Sequence, residues 1–102
     1  MIDQVSPAAL SDWFAQHPGT PLVIDVREPH EVAMFSVKPE GAECVCMPMG
    51  TIPDRLAELD PKRPTALLCA AGMRSQRVAL FLQAQGFDTL ANITGGVSAW
   101  PA

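Results

Sequence analysis

The sequence predicts a small α/β domain built on a parallel sheet that is covered on both faces. Three observations predict it. Short runs such as 22–26 (Leu-Val-Ile-Asp-Val) and 65–69 (Thr-Ala-Leu-Leu-Cys) are almost wholly apolar rather than alternating, as in strands buried on both sides. These runs alternate with helical stretches, the order of a layered α/β unit. The 10 Pro and 7 Gly punctuate the chain rather than cluster, so they read as turns and not as a linker. With 102 residues, 48% of them hydrophobic, there is material for one core and no room for a second. One domain over 1–102 is therefore expected.

Each element follows from its local residues. Ser6-Pro7 predicts a helix start, with Ser6 as N-cap and Pro7 at the first helical position. That helix should carry Ala8, Leu10, Trp13 and Phe14 and stop near His17, before Pro18-Gly19. Residues 21–26 form an apolar strand bounded by breakers. Pro29 opens a short helix from Glu28 to about Phe35, and residues 43–47 make another strand, closed by Pro48. Pro53 to Leu59 predicts a short helix, and Thr65 to Cys69 a further strand. Ser75 to Gln85 predicts a helix carrying Val78, Leu80, Phe81 and Leu82, ended by Gly86 in the C′ position. Thr89 to Ile93 is a last strand, and Gly95-Gly96 turn the chain into a final helical piece ending at Trp100.

Composition excludes several function classes. Seven Lys and Arg stand against 11 Asp and Glu, a net charge of −4, so no nucleic-acid or anionic-membrane partner is expected. Three Cys are an odd number and too few for a disulfide scaffold. With only His17 and His30 and no paired Cys-x-x-Cys motifs, neither a metal site nor a cofactor is expected. The start, Met1-Ile2-Asp3-Gln4, has no basic stretch followed by a long apolar one. No apolar run approaches the roughly 18 residues of a membrane span. Free thiols without an export signal place the expectation in a reducing compartment, the cytoplasm.

The chemistry concentrates in Cys69-Ala70-Ala71-Gly72-Met73-Arg74-Ser75, between a strand and a helix. In open α/β sheets, ligands bind at the carboxyl ends of strands. A short loop there turns its N–H groups inward as a cradle for an anion, and the positive end of the next helix points at the same place. Gly72 permits the backbone angles of such a curl. A cysteine at this mouth should have a lowered thiol pKa and more of the nucleophilic thiolate. Arg74 closes the loop with a planar fork of donors for a bound anion. A lone cysteine at a strand end is most simply a small core residue. Small residues, a glycine and an arginine at a helix start are company a core cysteine does not need.

Three segments resemble the single-domain rhodaneses, thiosulfate-type sulfurtransferases. Asp25-Val26-Arg27-Glu28-Pro29-His30-Glu31 resembles the family's segment after its second strand. Cys69 to Ser75 resembles its active-site loop, and Gly95-Gly96-Val97-Ser98-Ala99-Trp100 its C-terminal signature. Each piece alone is weak, but three in the right order on the right α/β pattern are specific. The resemblance implies a small three-layer domain with a mainly parallel five-stranded sheet flanked by helices. It implies that Cys69 takes sulfane sulfur from thiosulfate or a persulfide donor, becomes a persulfide, and passes the sulfur to cyanide, a thiol or a protein. The loop N–H groups from Ala70 to Ser75 would stabilise the charge on sulfur. Phosphatases and arsenate reductases of the same fold place five residues between Cys and Arg. Here only Ala70 to Met73 lie between Cys69 and Arg74, a smaller ring that disfavours phosphatase chemistry. The alternative class is a non-catalytic sulfur carrier or protein-interaction module of the same fold.

Other residues carry expectations of their own. Ala70 and Ala71 are neutral where many family loops are basic or polar, which points to a poor thiosulfate site and a persulfide donor. Asp25 and Arg27 are expected to support the site. Asp25 would accept loop N–H bonds, while Arg27 would pair with Glu28 or Glu31 or face the mouth. Cys44 and Cys46 share one face of their strand and are expected to be small packing residues. A resolving thiol for Cys69 is the sharper idea. Met47, Met49 and Met73 are expected to fill gaps, or Met73 to line the entrance, and Trp100 to pack.

Overall fold

The computed structural model describes residues 1–101. The apolar runs become parallel strands: β1 (Ile2–Val5), β2 (Leu22–Asp25), β3 (Glu43–Cys46), β4 (Thr65–Leu68) and β5 (Leu90–Ile93). They form one five-stranded sheet in the order β1-β5-β4-β2-β3, with every pairing parallel. All residues of β2, β4 and β5 are buried, as continuous apolar runs require.

Side-chain alternation sends the buried residues to two cores. On one face Leu22, Ile24, Leu67, Cys69 and Leu90 meet Val78, Ala79 and Leu82 of α3 (Met73–Ala84). On the other, Val23, Ala66, Leu68, Ala91 and Ile93 meet Leu10, Trp13 and Phe14 of α1 (Leu10–Gln16). A further short helix, α2 (Pro29–Met34), follows β2. The outer strands are less covered: in β3 only Val45 is even partly buried.

Several elements differ from expectation. β1 is absent from the reading of local residues. Its mixed Ile-Asp-Gln-Val pattern buries only Val5 fully, so it is recruited by pairing with β5 rather than by its own apolar content. Pro7–Ala9 is a 3-10 turn ahead of α1, and the Ser6 side chain makes no cap bond. The short helix expected from Pro53 and the helical piece expected after Gly95-Gly96 are both present, wound as 3-10 helices over Pro53–Glu58 and Gly96–Ala99, as suits pieces too short to sustain i→i+4 bonding. Gly86 sits just past α3 with φ +96°, the left-handed geometry of a C′ glycine.

Candidate active site

The sheet places three strand ends side by side, and the chain between β4 and α3 curls over them. α3 begins at Met73, two residues before the expected Ser75. Met73 and Arg74 are thus the first helical turn, and Cys69 to Gly72 make the whole connection. Gly72 caps the helix at φ +95°, a backbone state that costs side-chain-bearing residues roughly 1–2 kcal/mol. A Cβ on Gly72 would also come within 3.1 Å of the Gly95 nitrogen.

The direction of the loop's N–H groups is set by what holds its carbonyls. Val97 N–H donates to the Cys69 carbonyl at 2.9 Å and Ser98 N–H to the Ala70 carbonyl at 3.0 Å. Asn92 Nδ2 donates to the Gly72 carbonyl at 3.2 Å. In a trans peptide the carbonyl and the next N–H point opposite ways. Holding the Cys69 and Ala70 carbonyls from one side therefore turns the N–H groups of Ala70 and Ala71 the other way, and that of Ala71 is among those acting on the Cys69 thiol. Gly96 makes this clamp possible: a Cβ there would collide with the Cys69 carbonyl oxygen.

The Cys69 sulfur lies at the focus. Gly72 N–H donates to Sγ at 3.0 Å and Ser75 N–H at 3.4 Å, and Ser75 Oγ is 3.2 Å away. Burial alone raises the thiol pKa. The Ser75 hydroxyl and the N–H groups of Ser75, Ala71 and Gly72 outweigh it, leaving Cys69 below the ordinary cysteine value. Cys69 is 1% exposed, so its sulfur forms the floor of the loop.

Asn92 is a site residue that the sequence reading missed. It is buried on β5 with its amide fully engaged. Nδ2 donates to Gln4 Oε1 at 3.0 Å as well as to Gly72, and Oδ1 accepts the Ser75 hydroxyl at 2.5 Å. A polar residue inside an otherwise apolar buried strand was the available signal.

The arginines face carboxylates rather than open solvent. Arg74 was expected to reach a bound anion. Its Nη1 donates to Glu31 Oε1 at 2.7 Å and its Nη2 to Glu31 Oε2 at 2.8 Å. Arg27 was expected to pair with a carboxylate such as Glu28 or Glu31, or to face the mouth. Its carboxylate partner is Asp25, through Nη2 at 2.7 Å and Nε at 3.0 Å, and Arg27 N–H also donates to Asp25 Oδ1. Arg27 Nη1 then donates to the Phe35 carbonyl at 2.8 Å, joining the end of β2 to the residue after α2.

Of the remaining expected residues, Ala71 and Met73 are exposed and Ala70 half-buried, so Met73 fills no gap. Cys44 and Cys46 are exposed too, and the packing role expected of them is corrected: β3 is an edge strand. They share the face of Leu68 by register, whereas Cys69 packs on the opposite, α3 face. The sheet stands between them and Cys69. Among the described residues, no three His, Cys, Asp or Glu side chains are grouped as a metal would need.

A model of the rhodanese-like domain family matches residues 6–102. The chain belongs to the rhodanese-like family. Relatives agree along most of its length. A Bacillus subtilis (strain 168) protein, YtwF, provisionally named a sulfurtransferase, is 37% identical over 97% of this chain and 90% of its own. A chloroplastic rhodanese-like/PpiC domain-containing protein 12 of Arabidopsis thaliana is 43% identical over 76% of this chain, which spans only 26% of that relative. The crystal structure of a rhodanese-like domain protein from Staphylococcus aureus superposes with a TM-score of 0.78 at 29% identity, covering 98% of this chain and 92% of that one. The rhodanese-like fold and the Cys69 loop thus coincide in one chain.

Proposed function

We propose that this rhodanese-like domain, over 1–102, is a sulfurtransferase working through Cys69. The observation that carries the reading is the convergence of Gly72 N–H, Ser75 N–H and the Ser75 hydroxyl on the Cys69 sulfur. The thiolate attacks the outer sulfur of thiosulfate or of a persulfide. The new S–S bond forms as the donor's S–S bond breaks, and sulfite or a thiolate leaves with the electron pair. Cys69 is now a persulfide anion, and the charge on its outer sulfur would be stabilised by the N–H groups of the loop. An acceptor (cyanide, a thiol or a protein) attacks that sulfur, and Cys69 returns to thiolate. Ala70, Ala71, Gly72, Met73, Arg74 and Ser75 form the binding loop, with Asp25 and Arg27 as its support. No metal or cofactor enters these steps. Three free thiols fit a reducing compartment such as the cytoplasm. Incubation with a sulfane donor should add about 32 Da, one sulfur, to the protein. No uptake from any sulfane donor would contradict the reading.

A further inference from the structure

What charge a donor meets at the loop mouth depends on which cations are free. Arg74 is the loop's own cation, and Glu31 takes donors from both of its terminal nitrogens. Arg27 is likewise committed to Asp25. The Glu31 carboxylate is also held from its own side. Its Oε1 accepts Glu28 N–H at 3.0 Å, and the Glu28 and Glu31 side chains form a reciprocal capping box on α2. A bidentate pair fixed to a helix keeps its geometry better than two free surface chains. The Arg74 bond, then the Glu28 N–H, hold the Glu31 carboxyl down to about 2, so the pair stays ionised across the neutral range.

We propose that Glu31 sets the donor charge preference of the site: by holding Arg74 it disfavours dianionic donors such as thiosulfate relative to donors of lower charge, such as a cysteine persulfide. This rests on the Cys69 sulfur-transfer reading above. Glu31 is then a positioning residue that acts through Arg74. The physics is direct. One positive and one negative charge in contact leave the mouth with little net potential. The backbone N–H groups remain as attractors, within a chain of net charge −4. Electrostatic free energy is linear in ligand charge, so a dianion feels any change at Arg74 about twice as strongly as a monoanion.

The test compares Glu31→Gln with wild type. Gln keeps a carbonyl oxygen for Glu28 N–H and is itself a capping-box residue, so α2 should persist. The probes are thiosulfate, a dianion, and methanethiosulfonate, a monoanion that also carries a transferable outer sulfur. Cyanide is the acceptor at low ionic strength. The expected result is a gain in kcat/KM of about tenfold for thiosulfate and about threefold for methanethiosulfonate. The gain should lie mainly in KM and shrink in about 0.5 M salt. An equal gain for both donors, no gain, or a loss for both overturns the proposal. A second measurement needs no variant: thiosulfate loading of wild type should be nearly flat with added salt, and a steep fall would reveal a free cation and overturn it. If neither donor adds sulfur to Cys69 in wild type, the sulfur-transfer reading fails instead. If loading occurs without charge discrimination by Glu31, only this inference fails.

Discussion

Cys69 and Ser75 share a single-proton problem. The Ser75 hydroxyl is within reach of two acceptors, the Cys69 sulfur at 3.2 Å and Asn92 Oδ1 at 2.5 Å, and it has one hydrogen to give. While Cys69 is a thiol, its S–H can donate to Ser75 and Ser75 to Asn92. Once Cys69 ionises, the hydroxyl can turn to the sulfur, which favours the thiolate. Ser75→Ala removes that donor and should move the Cys69 pKa upward. The sign is clear, because losing a bond to the charged form raises an acid's pKa. The measurement is the rate of iodoacetamide reaction at Cys69 against pH. Its midpoint should lie below the ordinary cysteine value in wild type and higher in the variant. An unmoved midpoint would contradict the role given to Ser75. The substitution also strands Asn92 Oδ1, at about 1–3 kcal/mol of stability. Cys69, Gly72 and Arg74 are legible because they lie together in sequence. Asn92 and the pairing of Glu31 with Arg74 are not: these residues lie 17 from Ser75 and 43 from Arg74, and only the fold brings them together.

At the scale of elements, the loop works because a separate segment grips it. The Gly96–Ala99 turn donates N–H groups to the first two loop carbonyls, and that needs Gly96 to pass directly beneath them. Gly96→Ala would push a Cβ into the Cys69 carbonyl at φ +57°. It should cost about 3 kcal/mol or more and return Cys69 reactivity toward that of an ordinary thiol. Gly86→Ala is the control, with φ +96° and open space around it. It should cost about 1 kcal/mol and leave the Cys69 pH profile unchanged. Thermal unfolding and the alkylation profile of both variants check this. Equal loss of reactivity in the two would sink the clamp. The Gly95-Gly96 pair was legible as a turn, and its resemblance to a family signature was visible. Its contact with the loop was not, because no local pattern reports which backbone lies above a glycine. The 3-10 winding escaped for a related reason, since proline placement marks where a helical turn starts but not how tightly it winds.

For the whole molecule, the parallel sheet brings the ends of β2, β4 and β5 to one edge, and the Asp25–Arg27 pair ties that edge to the end of α2. Both side chains are nearly buried, at 11% and 4% exposure. Asp25→Ala leaves the Arg27 guanidinium buried without its counter-charge, a change worth about 3–5 kcal/mol. Thermal unfolding should show a melting temperature lower by more than about 10 °C. A shift of only a degree or two would mean the pair is dispensable. The layered α/β class was legible from the three continuous apolar strands. One edge strand, β3, was read from residues 43–47, but the other was not: β1 carries Asp3 and Gln4 between Ile2 and Val5 and gains its place by pairing with β5. β1 also matters to the site, since Gln4 holds Asn92. The net charge of −4 makes the same point at larger scale. Attraction for an anionic sulfur has to be local, in a ring of N–H groups, because the surface as a whole opposes it.

The measurement that bears most directly on the account is sulfur loading resolved by cysteine. The protein is treated with thiosulfate and, separately, with an organic persulfide. Intact mass is read first, then the masses of peptides containing Cys44, Cys46 and Cys69. The account predicts a gain of about 32 Da on the Cys69 peptide alone, lost in Cys69→Ser and discharged by cyanide. Sulfur found on Cys44 or Cys46 with Cys69 unmodified, or a Cys69→Ser variant that loads as well as wild type, would contradict it.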